Sequence, residues 1–164
     1  MSTLYVDTIN EKTSGNGVQI PGHVIYADGN KLGADNSLTS TSTAFIVNGS
    51  EITVPAATVA KLSKIIVVAS GSFRVNKNTH AFVDWKLERS APSTSELIRS
   101  QLGVVAGGTE VYDQVCLQGI DSNLGTGDHT YKVYFRKADG TSTYANSIYY
   151  DHKGWTITVL GIAQ

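Results

Sequence analysis

The sequence predicts an all-β fold, a short β-stranded stem followed by an antiparallel jelly-roll sandwich. Three observations carry this. Apolar runs recur at short spacing over 45–47, 52–54, 65–75, 81–87, 96–105, 111–120, 131–135, 144–150 and 155–162, each closed off by turn-forming residues. Several of them alternate as half-buried strands do: Val83, Trp85 and Leu87 fall on one face while Asp84, Lys86 and Glu88 fall on the other, and Tyr131, Val133 and Phe135 likewise oppose Lys132, Tyr134 and Arg136. Ser and Thr together make up about a fifth of the 164 residues while charged residues are only 16%, a composition suited to hydroxyl-bearing β surfaces.

Taken in order, residues 1–26 hold two short β-rich stretches around Gly15-Asn16-Gly17. Two strands of that length bury too little apolar surface to stand alone in water, so they call for a partner, most economically copies of themselves. Residues 27–41 are rich in turn formers and nearly free of large apolar side chains, which predicts a polar linker, and 42–164 then forms the head. Within the head, 56–62 after Pro55 predicts one or two helical turns, and Asp139-Gly140 predicts a tight hairpin because such turns need positive φ.

Two runs are apolar on both faces: 65–69, and 155–162, where Leu160 and Ile162 oppose Trp155, Ile157 and Val159. A sandwich strand needs one dry face, so a second dry face predicts a neighbouring subunit. The expected subunit contacts are therefore Leu4, Val6, Ile9, Val18 and Ile20 in the stem and Ile66, Val68, Leu160 and Ile162 in the head.

Charge and cysteine usage narrow the function classes. A net charge of −1 offers no field for nucleic acid, and no apolar run is long enough to insert in a membrane. The start reads without a secretory signal, which predicts synthesis in a cytosol. The single cysteine, Cys116, lies between Val115 and Leu117 and is expected as a small buried hydrophobe. His23, His80, His129 and His152 are widely spaced and are expected at the surface or in turns; His80 and Asp84 share a strand face, but two ligands do not make a metal site, so no metal or cofactor is expected. Asp121, Asn123 and Asp128 sit on a Gly-rich stretch loosely like a calcium loop without its closing Glu, and the expected reading is an exposed loop. No nucleophile-elbow pattern occurs, and the expectation is a protein without enzymatic activity. The best ligand candidates are aromatic: Tyr149, Tyr150, His152 and Trp155, with Tyr144 nearby, combine flat rings and polar groups around a turn, as sugar rings require. The competing reading packs these rings in the sandwich or at a subunit seam.

The stretch Val6-Asp7-Thr8-Ile9-Asn10-Glu11-Lys12-Thr13-Ser14-Gly15-Asn16-Gly17-Val18 closely resembles a segment found in tail-fibre and other virion structural proteins of bacteriophages, particularly marine and cyanobacterial ones. Asp128 to Arg136, Asp139-Gly140-Thr141 and Thr156 to Gln164 are similar to the last strands of the trimeric jelly-roll heads that end many phage fibres, whose architecture is like that of complement-C1q and tumour-necrosis-factor trimers. In the phage form the last strand often ends Ile-Thr-Val-Met-Glu-Ile-Ala; Leu160 and Gly161 replace the Met and Glu here. The resemblance implies a homotrimer in the virion, assembled in the host cytoplasm, anchored to other virion proteins by its amino-terminal segment and binding a host cell-surface glycan with its head. A capsid decoration protein is the alternative within the virion, and a C1q-like or lectin-like binding module the alternative outside it.

Overall fold

The structure is a computed structural model that describes residues 22–31, 42–76, 81–104, 111–138, 147–149 and 155–164. Among them the order of elements is β1 (Val24–Lys31), β2 (Ile46–Val54), α1 (Ala56–Val59), β3 (Leu62–Asn76), β4 (Ala81–Ala91), β5 (Ser95–Val104), β6 (Val111–Asp121), β7 (His129–Lys137), β8 (Ser147–Tyr149) and β9 (Thr156–Ala163). They form two antiparallel sheets, β1-β9-β3-β6 with β8 also pairing β3, and β2-β7-β4-β5. Apart from the β4–β5 hairpin and short β8, each strand crosses to the opposite sheet before the next begins. That alternation is the jelly-roll winding.

Residues 24–31 correct the expected boundaries. The sequence places the end of the stem at 26 with a linker after it, yet 24–31 form β1, paired with β9 from Val24↔Ile162 to Lys31↔Thr156. The physical reason is that an edge strand is held by backbone pairing on one side and needs few apolar side chains. Of its eight residues only Tyr26 is even half-buried, so the turn-forming Asp28-Gly29-Asn30 is tolerated there. Residues 1–21 and most of the expected linker, 32–41, lie outside the described residues, as does the Asp139-Gly140 hairpin.

Between the sheets lies a core in which Trp85 is central. It stacks on Trp155 with centroids 4.8 Å apart and touches Phe73 and Phe135, each at 5.4 Å. Gly71 makes room for this cluster: a methyl group there would lie 2.6 Å from Cε2 of Trp155. The inward residues Ile65, Val67 and Ala69 of β3 and Ile157 and Val159 of β9 are fully buried, as the alternation predicts. The helical stretch is a single turn, and it inserts Val59 under the end of the core.

One end of the sandwich gathers α1 with the 122–128 and 92–94 connections. The backbone N–H of Ala56 donates to Asp128 Oδ1 at 2.8 Å, and Gly127, with φ of 103°, lies against Pro92. Gly22 and the chain's last residues lie here too, through Gly22 N to Ala163 O at 3.3 Å and Gln164 N to Lys61 O at 3.3 Å.

Candidate functional site

The two outer faces of the sandwich are the candidate surfaces, and sequence alternation decides what each carries. On the β1-β9-β3-β6 sheet, register aligns Ala27 with Leu160, Leu160 with Ile66, and Ile66 with Ile120. This is an apolar row across all four strands. Ile66 and Leu160 are half-buried, while Ile120 is 56% exposed and Val24, beside the row, is 53% exposed. Further from the α1 end the same face turns polar: Val68 pairs with Thr158 and Gln118, and Ser70 with Thr156 and Cys116. There Ser70, Ser72, Gln114, Cys116 and Thr156 line a shallow depression of about 340 Å³.

The outer face of the β2-β7-β4-β5 sheet carries a ladder of charges that meet one another, with Phe82 exposed at its margin. Asp84 accepts from Arg136 Nε at 2.8 Å and from Gln101 at 2.9 Å. Lys86 pairs with Glu88, Lys132 with Glu51 at 3.0 Å, and Arg99 with Glu96 at 2.6 Å. Phe45 lies across this ladder, with the cationic groups of Lys86, Arg99 and Arg136 all within 5.0 Å of its ring centre. Burial and the neighbouring Glu88 carboxylate hold the Tyr134 hydroxyl above its ordinary pKa, and hydrogen bonding to Glu51 does the same for the Lys132 ammonium.

A third cluster ties the sheets together at the α1 end. Arg89, 5% exposed, donates to Asp121 Oδ2 at 2.8 Å and to Asn123 O at 2.9 Å; the Tyr131 hydroxyl donates to the same carboxylate oxygen at 2.9 Å. Burial and the Asp121 charge push the Tyr131 pKa far up. All three oxygen bearers of the calcium-like stretch are thus engaged within the protein, Asp121 and the Asn123 backbone carbonyl here and Asp128 at α1.

Against the sequence expectations, the structure gives several corrections. Trp155, expected as a ligand contact, is fully buried with its indole N–H donating to Ser72 O at 3.2 Å. Tyr149 takes part in β8 through backbone pairing with Arg74, and Tyr150, His152 and Tyr144 lie outside the described residues. Among the expected subunit contacts, Leu4, Val6, Ile9, Val18 and Ile20 also lie outside them. Ile66, Val68 and Leu160 stand on the outer face of their sheet, whereas Ile162 is only 9% exposed, covered within its own chain. Cys116 is exposed, because it falls on the outward phase of β6 between inward Val115 and Leu117. His129 is fully buried, its Nδ1 3.0 Å from Gly127 O, since β7 starts on its inward phase. Sequence reasoning missed Ile120, although its signal was present: it follows Gly119 and breaks the inward series 115, 117, 119.

No protein-family model matches the chain. No curated protein matches it as a relative either. Among solved structures, the chain is similar to the infectious bursal disease virus VP2 subviral particle, with a TM-score of 0.53 at 9% identity over 84% of this chain and 33% of that one. It is also similar to the structure of infectious bursal disease virus Gx strain, with a TM-score of 0.54 at 8% identity over 94% of this chain and 38% of that one. The chain therefore spans little more than a third of the length of these structures. At such identity the likeness shows the fold, an all-β antiparallel sandwich.

Proposed function

We propose that this chain is a non-enzymatic virion structural protein, the jelly-roll head and stem of a short trimeric phage tail fibre or surface spike that binds a host surface. The observation that carries the reading is the uncharged apolar row of Ala27, Leu160, Ile66 and Ile120 on one sheet, set against a partner sheet whose outer charges are already paired. Such a molecule acts by association. Three copies of a weak site on one rigid head grip a repetitive surface far more tightly than one copy. The jelly-roll likeness to the VP2 subviral particle supports a place in a virus particle, and the phage-like stretch at 6–18 supports a fibre anchored through its amino-terminal segment to other virion proteins.

Gold-labelled antibody on intact particles tests this: label at the tail is expected for a fibre, and no label on any particle overturns the virion reading. Label over the shell supports the second reading, a capsid decoration or structural spike, which the likeness to a particle-building protein favours. For host recognition, Tyr150→Ala with His152→Ala should weaken binding to host polysaccharide while the trimer persists. Unchanged binding removes the turn near 149–153 as the contact.

A further inference from the structure

We infer that copies of this chain meet through the α1-end half of the β1-β9-β3-β6 outer face, each copy seated on a second copy, while the polar half of that face and the whole β2-β7-β4-β5 outer face stay in solvent. This deepens the assembled-head reading proposed above and rests on it.

Three observations choose this half. The first is chemistry: Leu160, Ile66 and Ile120 adjoin one another across three strands, with the small Ala27 completing the row on β1 and Ile120 more than half exposed. Toward the other end the surface falls into the depression lined by Ser70, Gln114, Cys116 and Thr156, which a flat neighbour would leave unfilled. The second is charge. Lys64, in register with Ile162 at the margin, is the only charged residue this half presents among the described residues, so an identical surface meets it with little like-charge conflict. The opposite sheet offers no comparable opening, because its cations and carboxylates are engaged with each other. The third is continuity: the preceding 21 residues join the head at Gly22, which is hydrogen-bonded to Ala163 at this same end. If those stretches associate between copies, as proposed above, the apolar halves, and not the polar ones, are brought close together.

The occupant follows from these three. A row with no acidic residue among the described residues has nothing to attract a basic partner, and its apolar side chains are matched by another row like itself.

The test is sedimentation velocity on the full-length chain across a concentration series. Ile120→Asp is chosen because Ile120 is more than half exposed and its replacement leaves the core untouched; Gln114→Asp on the polar half of the same face is the matched control, and circular dichroism verifies that both fold. The expected result is that Ile120→Asp raises the concentration needed for half-assembly at least about tenfold, while Gln114→Asp leaves it unchanged. Equal effects of the two, or no effect of Ile120→Asp, overturns the inference. If Ile120→Asp is inert while Val18→Asp with Ile20→Asp in the full chain abolishes assembly, the assembled reading stands and the head contact falls. If the unaltered protein is monomeric at every concentration, both fall together.

Discussion

The two outer faces of the sandwich are both built from antiparallel strands that alternate inward and outward side chains, yet they solve the exposure problem in opposite ways. On the β2-β7-β4-β5 sheet, outward positions carry Asp84, Lys86, Glu88, Lys132 and Arg136, and three of these, Asp84, Lys86 and Glu88, are largely covered by their neighbours and by Phe45. On the β1-β9-β3-β6 sheet, outward positions carry Ile66, Leu160 and Ile120, which meet no covering layer among the described residues. A paired ladder satisfies its charges within the chain. An exposed apolar row is left without such partners among the described residues, which is why the proposed assembly places its contact there.

Trp155 belongs to the core shared by the two sheets. Trp155→Ala removes the ring that stacks on Trp85 and fills the space over Gly71, and should cost about 3–5 kcal/mol in chemical denaturation of the chain. A loss under about 1 kcal/mol with impaired ligand binding would return Trp155 to the ligand site.

A smaller effect separates the two faces directly. Asp84→Ala strips a nearly buried carboxylate from Arg136 and Gln101 and should cost about 2 kcal/mol, with assembly measured at a temperature where both proteins are folded staying unchanged. If assembly is lost instead, the charged face is a contact face and the assignment of roles is reversed.

Alkaline titration probes the tie between the sheets. The Tyr131 hydroxyl is held protonated in the fold by burial and by Asp121, so its folded pKa lies above the ordinary value of 10.0. A raised pKa means that the folded state binds more protons than the unfolded one above that value, so the stabilisation is complete below about pH 10 and is lost as pH rises further. Tyr131→Phe should flatten most of this decline while costing about 1 kcal/mol at pH 7 through the lost hydrogen bond. A decline of full size in the variant would assign the alkaline sensitivity to other groups.

The smallest expected effect is on the apolar face. Ile120→Thr should change the stability of the dissociated chain by no more than about 0.5 kcal/mol, as for other exposed positions. A loss several times larger, read by denaturation at low protein concentration, would mean that Ile120 packs within its own chain.

Much of this contrast was legible in the sequence because strand alternation has a period of two. Val83-Asp84-Trp85-Lys86-Leu87 announced one dry and one wet face, and the double-faced runs at 65–69 and 155–162 announced the odd sheet. What alternation cannot give is which neighbour covers a residue. Trp155 looked like a sugar platform beside Tyr149 because the sequence does not show Gly71 and Trp85 waiting on the other side of the fold. Asp28-Gly29-Asn30 looked like linker because an edge strand is specified by the backbone groups of its partner β9, with no signature of its own. His129 and Cys116 were misplaced by a single step of phase, the inward and outward positions of β7 and β6.

Hydroxyl-radical footprinting of the full-length chain, compared between concentrations where it is assembled and where it is dissociated, tests the contrast between the faces most directly. Ile66, Ile120 and Leu160 should gain protection on assembly while Phe45 and Tyr134, on the charged face, show none. Protection of Phe45 and Tyr134 with Ile120 equally reactive in both states would contradict the account.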